Sequence, residues 1–296
     1  MKTEKSFEEM ALKVIEQWKD GRSMSTTANY LTALRSFMKF AKGQKVLLSD
    51  IAEPLLKAYE YWLRNENVGL NTISCYMRSL RALYRQLNGS GDPFQGVFTG
   101  SMKTEKRAID VQDIQRLRQL ALPRGSRLEF ARDVFLFSVY ALGMPFVDLA
   151  YLRRHNIQNG FIVYKRHKTH QPIRISLEPC MMDILRKYKR DCSDYLFPII
   201  RTTDEQRAYR QYQTYLGVYN KKLKELAQLA GIRKNLTSYT CRHTWASLAY
   251  EKNVDLSVIS KALGHTNPQT TQTYIREIND NRLSEANHDL LSYLLK

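Results

Sequence analysis

The residues best suited to chemistry lie between positions 236 and 275. Arg242 and His243 stand side by side, a Leu-Gly-His turn ending at His265 follows, and Tyr274 comes nine residues later. A tyrosine oxygen can act as a nucleophile, a guanidinium fork can hold two phosphate oxygens, and an imidazole can donate to the same group. Together they predict phosphoryl transfer to a protein hydroxyl. Any one of them alone is more often a solvated charge, a cap or a core side chain, so the prediction depends on the set.

The chain is strongly basic. Its 296 residues include 46 lysines and arginines against 29 aspartates and glutamates, a formal net charge of +17. Residues 1–100 carry 14 basic and 10 acidic side chains, whereas residues 101–296 carry 32 and 19. Such an excess favours a polyanionic partner whose counterions are released on binding. A basic protein without such a partner is the alternative.

Several classes of protein are disfavoured by the composition. The four cysteines are scattered without CxxC spacing, as in a cytosolic protein with reduced thiols, and neither they nor the six histidines show metal-ligand spacing. The amino-terminal run MKTEKSFEEM lacks the apolar core of a signal peptide, and no apolar run is long enough to span a membrane. A GxSxG hydrolase motif is also absent. We therefore expect a soluble intracellular protein without a metal site.

The first hundred residues have the apolar periodicity of helices. Four helices are predicted, over about 7–18, 25–40, 49–63 and 71–87. In the fourth, Arg78, Arg81 and Arg85 are spaced three and four apart, so they share one face. That face is a candidate surface for phosphates, and a plain solvated face is the alternative.

A change of composition marks a domain boundary. Glycine, serine and proline at residues 88–93 break the helical pattern, and the polar run that follows indicates a linker over 91–107. We therefore predict a helical domain over 1–90 and a larger domain over 108–296.

The second domain is predicted to be mainly helical with one small β-element. Residues 160–164 and 173–177 are short β-prone runs on either side of the basic turn KRHKTHQP, which predicts a β-hairpin. The predicted fold class is thus mainly α with a small β-hairpin, in two bodies that can close on opposite faces of a duplex.

The late stretch carries a resemblance to a known family. The run SYTCRHTWASLAY, followed by VISKALGHTNPQTTQTYI, resembles the signature of the tyrosine recombinase (phage integrase) family. There, an H-x-x-R-H helix precedes Leu-Gly-His, and the nucleophilic tyrosine follows at the same nine-residue spacing. GMPFVDLAYL at 143–152 stands where the family has its first arginine box, and the amino-terminal helices resemble its SAM-like core-binding domain. The resemblance implies a site-specific DNA recombinase built as a C-shaped two-domain clamp.

The resemblance also implies a role for individual residues. Tyr274 matches the nucleophile, whose attack on a DNA phosphate leaves a 3′-phosphotyrosyl link and a free 5′-hydroxyl. Arg242 matches the second family arginine, and His265 matches the histidine that donates to a non-bridging oxygen. Lys168 falls at the general-acid lysine of the hairpin, with Lys165 as the fallback and a further candidate for contact with DNA. A solvated turn lysine is the alternative for Lys168.

Two positions depart from the family pattern. Tyr239 stands where the family carries a histidine, and its hydroxyl either donates to the phosphate or packs; His243, four residues on, is a candidate for contact with DNA. The first arginine is missing, because the two positions at which the family carries it are Leu142 and Pro145.

The missing guanidinium leaves several explanations open. Loss of one such donor typically lowers the rate by about 10²–10³-fold. Either another basic residue reaches into the site, with Arg153, Arg154 and Lys165 nearest in sequence, or cleavage is impaired. A substitution introduced at position 142 is also possible.

The partners and rivals follow from the same resemblance. It implies double-stranded DNA recombination sites, four protomers on two synapsed sites, accessory DNA-bending proteins, no cofactor, and a cytoplasmic, nucleoid-associated location of the bacterial type. The rivals are a DNA-binding protein of recombinase descent that no longer cleaves, and a type IB topoisomerase, which shares the chemistry.

Overall fold

The computed structural model describes residues 5–102, 107–188, 193–272, 288 and 291–292, with the backbone alone at positions 20 and 268. The chain divides into two compact units, Met1–Thr104 and Glu105–Lys296. Each unit has its own hydrophobic core.

Four helices form the first unit, as the apolar periodicity predicts. They are α1 (Phe7–Gln17), α2 (Met24–Phe40), α3 (Glu53–Asn65) and α4 (Leu70–Gln86). Serine hydroxyls cap the first two, because Ser6 and Ser23 accept hydrogen bonds from backbone N–H groups three residues on. The apolar faces meet around Phe37, whose ring centroid lies 5.2 Å from that of Tyr59.

The segment after α4 packs on this unit. Phe94 and Val97 are buried in its core, and the Phe94 ring centroid lies 5.9 Å from that of Tyr84. The Asn71 side chain exchanges two hydrogen bonds of 3.0 and 2.8 Å with the backbone of Met102. Residues 91–102, which the composition assigns to a linker, are therefore held against the helices by the burial of Phe94 and Val97 and by the hydrogen bonds from Asn71 of α4.

The second unit is mainly helical and contains one small sheet, which confirms the predicted fold class. Its helices are α5 (Val111–Gln119), α6 (Arg127–Tyr140), α7 (Phe146–Ala150), α8 (Pro179–Tyr188), α9 (Glu205–Leu229), α10 (Thr240–Glu251), α11 (Leu256–Leu263) and α12 (Pro268–Gln272). Helix α6 has buried residues on several faces, so it forms the centre of this core.

The sheet contains the predicted hairpin and one further strand. Strands β1 (Ile157–Gln158), β2 (Phe161–Lys165) and β3 (Pro172–Ser176) are antiparallel in the order β1-β2-β3. Ile162 pairs with Ile175 and Tyr164 with Ile173, and these isoleucines are buried against the core. Side chains two apart on a strand share a face, so the even-numbered positions of β2 face inward.

Within the described ranges, no helix is long and apolar enough to cross a membrane. The same ranges contain no group of three or more His, Cys, Asp or Glu side chains placed to hold a metal ion.

Candidate active site

Arg242 lies at the centre of the site. It is in the first turn of α10 and is only 2% exposed. Nη1 donates to the carbonyl of Gly143 at 3.3 Å, and Nη2 donates to the carbonyl of Leu263 and lies 3.1 Å from Nε2 of His265. The guanidinium therefore joins three segments of the chain that are far apart in sequence.

Two glycine turns make this approach possible. Gly143 has φ +67°, and a Cβ there would lie 2.8 Å from the Cα of Arg242, closer than a side chain can come. Gly264 has φ +63° and ends α11. This turn lets the backbone N–H of His265 donate to the backbone carbonyl of Ser260 at 3.0 Å. Both positions need the left-handed backbone that glycine adopts without a Cβ clash.

His265 is held in one neutral tautomer. A guanidinium can only donate, so Nε2 accepts from Arg242, and Nδ1 must carry the proton that reaches Thr271 Oγ1 at 2.9 Å. Burial, followed by the charges of Arg242, Arg166 and Lys168 in that order, lowers the pKa of His265 to about 4. The imidazole is therefore neutral at pH 7 when no anion is bound.

The turn of the β-hairpin is fastened to the same site at both ends. The backbone N–H of His167 donates to Asp148 Oδ1 at 2.9 Å, and Thr169 Oγ1 donates to the carbonyl of Gly264 at 3.1 Å. Lys168 lies between these two anchors with an exposed side chain. Its charge acts on His265, so the structure brings together the predicted lysine, arginine and histidine.

Lys165 occupies a different position from Lys168. It is exposed at the end of β2 and lines a surface cavity together with Asp148, Tyr151 and His167.

Arg166 is the site residue that the sequence analysis missed. It follows β2 directly, is 5% exposed, and its Nη1 donates to the Leu263 carbonyl that also accepts from Arg242. Its Nε lies 2.9 Å from Asp148 Oδ2. The signal was available in the alternation of β2: Ile162 and Tyr164 face inward, so the next even position does too.

The positions of the missing arginine are occupied by apolar residues. Leu142 lies just after α6 with φ +58° and packs against the core of the second unit, and Pro145 is the buried N-cap residue of α7. Of the substitutes expected from sequence, Arg153 donates to Tyr195 Oη at 3.2 Å and pairs with Asp194 at 3.6 Å. Arg154 and Lys165 are exposed. The replacement of the arginine by one of these three stays a prediction, and Arg166, which shares an acceptor with Arg242, is a further candidate.

The remaining predicted site residues have the following positions. Tyr239 is the N-cap residue of α10, three positions before Arg242, and is 38% exposed. Its ring centroid lies 5.9 Å from that of His243. Tyr274 lies outside the described residues, two positions after α12 ends at Gln272.

In the first unit, α4 carries the predicted basic face. Arg78 and Arg85 are exposed and Arg81 is half-buried. Arg78 Nε donates to the Ser74 carbonyl of its own helix at 3.3 Å, and Arg85 pairs with Asp92 at 2.9 Å. Arg85 therefore already has a carboxylate partner in this unit.

Comparison with known proteins gives a consistent result over both units. The sequence pattern of the phage integrase family matches residues 107–280, and that of the phage integrase SAM-like domain matches residues 6–86. The tyrosine recombinase XerD of Oceanobacillus iheyensis is 26% identical over 83% of this chain and 83% of its own length. The tyrosine recombinase XerA of Pyrococcus furiosus is 24% identical over 90% of this chain and 88% of its own.

Solved structures share the fold. The integrase of the transposon Tn1549, in complex with a circular intermediate DNA, has a TM-score of 0.69 at 13% identity and covers 96% of this chain and 99% of its own. A lambda integrase tetramer bound to a Holliday junction has a TM-score of 0.68 at 15% identity, covering 90% and 76%. Because the family pattern matches more than half of the chain, the protein belongs to the phage integrase family and is a tyrosine-type site-specific recombinase.

Proposed function

We propose that this protein cleaves and rejoins double-stranded DNA at specific sites through a 3′-phosphotyrosyl link to Tyr274. The observation that carries the proposal is the contact of 3.1 Å between Arg242 Nη2 and His265 Nε2. These residues are 23 positions apart, and the Leu-Gly-His turn joins them beside the anchored hairpin turn that presents Lys168. The result is a small set of donors suited to one phosphate.

In the proposed step, the Tyr274 oxygen attacks the phosphorus of the scissile diester. The new P–O bond to tyrosine forms as the bond to the 5′-oxygen breaks, the phenol proton passes to water, and Lys168 gives a proton to the 5′-oxygen. Attack by a 5′-hydroxyl of a second strand reverses the step and rejoins the DNA. The bond energy is kept in the phosphotyrosine, so the chemistry requires neither ATP nor a metal.

The other donors of the site act on the non-bridging oxygens. Arg242 offers a planar fork that is already held in place by two carbonyls, so little reorganisation is needed when the phosphate arrives. The phosphate's negative charge raises the pKa of His265 and releases Nε2 from Arg242, which allows the imidazolium to donate as well. Tyr239 and His243, on the same helix end, are proposed to contact the phosphate or the flanking backbone.

We further propose a division of labour between the domains. Residues 1–90 hold DNA through Arg78, Arg81 and Arg85 on α4, residues 91–107 join the domains, and residues 108–296 carry out the chemistry. Lys165 adds a phosphate contact beside the site. The assembly proposed is four protomers on two synapsed sites, in the cytoplasm at the nucleoid, with accessory DNA-bending proteins; a solved tetramer of lambda integrase on a Holliday junction supports the tetramer.

The test is covalent capture of DNA. A duplex that the full chain binds is selected from a randomised library, rebuilt with a nick that traps the cleaved strand, and incubated with the chain and with Tyr274→Phe. The parent should form an adduct that survives denaturant, and Tyr274→Phe should bind equally well without forming one, because only the nucleophilic oxygen is lost. An adduct with the Phe variant would refute the nucleophile. Tight binding by the parent without an adduct would show a DNA-binding protein instead of a recombinase.

A further inference from the structure

The site contains a second buried guanidinium, that of Arg166, which was not among the residues predicted from the sequence. Arg166 lies inside the hairpin turn, where its N–H donates to the carbonyl of Gln171 at 2.9 Å and its carbonyl accepts from His170 at 2.9 Å. This closed turn keeps Arg166 at the inner end of β2, and the side chain is 5% exposed. Its position is therefore set by the backbone of the hairpin.

Arg166 and Arg242 meet at one atom. Both donate to the carbonyl oxygen of Leu263, Arg166 through Nη1 and Arg242 through Nη2. Two positive groups that converge on a single neutral acceptor repel one another, so this arrangement is unfavourable unless an anion joins them. A phosphate oxygen is an anion with the geometry that guanidinium forks prefer.

The charge of the described side chains also favours an anion. The site holds three cationic side chains, Arg166, Arg242 and Lys168, and the carboxylate of Asp148, whose side chain is fully buried and lies 2.9 Å from Arg166 Nε. Burial raises the pKa of Asp148, whereas Arg166 and the N–H of His167 favour its ionised form. Counting Asp148 as ionised, these four groups leave two positive charges. A diester brings one negative charge, and bond formation to phosphorus adds more in the transition state.

One nitrogen of Arg166 is available for that anion. Nη1 donates to Leu263, and Nε forms an ion pair with Asp148 Oδ2 at 2.9 Å without the geometry of a hydrogen bond, whereas Nη2 makes neither kind of contact within the ranges that the structure describes. The expected positions of the family arginine, Leu142 and Pro145, are apolar and flank Gly143-Met144 in sequence.

We propose that Arg166 replaces the missing first arginine and holds a non-bridging oxygen of the scissile phosphate through Nη2, opposite Arg242. This inference rests on the proposed function and names a further catalytic residue for it. Asp148 then acts as a positioning residue, because it orients the Arg166 fork without touching the DNA. The competing interpretation is that Arg166 only fastens the hairpin to α7 and to the Leu-Gly-His turn.

The first test needs no DNA and therefore stands apart from the proposed function. Inorganic phosphate is titrated into the full chain while the His265 ring is followed by NMR. Removal of Arg166 alone would leave Asp148 buried without its partner. The main variant is therefore the double variant that carries both Arg166→Gln and Asp148→Asn. It should bind phosphate about tenfold or more weakly, because it loses a charge-assisted hydrogen bond. Arg153→Met, which removes a guanidinium outside the site, should bind phosphate as the parent does.

A second variant separates loss of the guanidinium from misfolding of the double variant. Arg166→Lys keeps a positive charge beside Asp148 but loses the fork, so it should melt near the parent and still bind phosphate more weakly. Phosphate affinity within threefold of the parent in both variants would overturn the proposal, whatever the rate of DNA cleavage.

The third measurement follows adduct formation on the selected nicked duplex. The double variant should react about 10²–10³-fold more slowly than the parent. The deficit should shrink at least tenfold when the scissile phosphate is a methylphosphonate, which lacks the negative charge that Arg166 balances. An equal deficit on both substrates would assign Arg166 a structural role only and overturn the proposal. If the parent itself forms no adduct, the proposed function fails, and the phosphate titration still decides whether Arg166 is an anion ligand.

Discussion

The close approach of Gly143 to α10 predicts a large and specific effect of one methyl group. In Gly143→Ala the new Cβ would lie 2.8 Å from the Cα of Arg242 and 3.3 Å from the Cβ of Trp245. The first neighbour is backbone, so the contact cannot be relieved by a side-chain rotation. Either α10 or the turn after α6 must move, and Arg242 moves with it.

The magnitude has two parts. The left-handed backbone at φ +67° costs a residue with a Cβ about 1–2 kcal/mol. Overpacking against a backbone adds about 1–3 kcal/mol. Gly231→Ala is the matched control. Gly231 has φ +62° and open space around it, so this variant introduces the strain of the left-handed backbone without the overpacking. Gly143→Ala should therefore be the less stable of the two by about 1–3 kcal/mol.

Thermal unfolding and adduct formation measure the two consequences. In a unit of this size, each kcal/mol lowers Tm by about 2–4 °C, so the two variants should differ by about 2–12 °C. Cleavage by Gly143→Ala should also fall about 10²-fold, because a small displacement of Arg242 misplaces the phosphate. Equal melting temperatures for Gly143→Ala and Gly231→Ala would refute the steric argument, and cleavage at the parental rate would refute the link to Arg242.

Three further outcomes are expected. Tyr219→Phe should leave the free energy of unfolding unchanged or raise it by about 1 kcal/mol in chemical denaturation. The buried hydroxyl of Tyr219 makes no hydrogen bond within the described residues, and its ring, which the variant keeps, stacks 4.6 Å from that of Phe146. A clear loss of stability would reveal a hydrogen-bond partner of the hydroxyl. The pKa of His265 is about 4 in the folded protein, below its ordinary value of 6.5, so on acidification the unfolded chain takes up this proton before the folded chain does. The free energy of unfolding should therefore fall as the pH drops from about 6.5 to 4. His265→Asn should flatten this pH dependence, and an unchanged slope would contradict the lowered pKa of His265. Leu142→Arg should lower Tm, because Leu142 packs on the core. It should not raise the adduct rate if, as we propose, Arg166 supplies the guanidinium; a substantial gain in rate would show that the site lacks one.

Much of the architecture was predictable because it depends on local periodicity. Four amino-terminal helices, the β-hairpin, and the grouping of Arg242 with His265 follow from apolar spacing, β-prone runs and fixed offsets in one short stretch. The packing of residues 91–102 on α4 was not predictable, because glycine, serine and proline indicate a break in a helix without showing where the chain goes next. Phe94 and Val97 are buried only because the first unit offers them a core.

The composition of the site depended on tertiary structure. Sequence alone determined that a tyrosine, an arginine and a histidine, residue types suited to phosphoryl transfer, stand in one short stretch, and the family resemblance implied that the expected first arginine is missing. It did not determine what replaces that arginine, since proximity along the chain favoured Arg153, Arg154 and Lys165. The burial of Arg166 beside Arg242, from which we propose that replacement, required the inward face of β2, the closure of the hairpin turn, and a carbonyl at Leu263, 97 positions away. The spacing of apolar residues follows from the backbone period of each helix or strand, so it can be read from sequence. The contact of Arg166 and Arg242 at one carbonyl depends instead on which elements pack together in the tertiary structure.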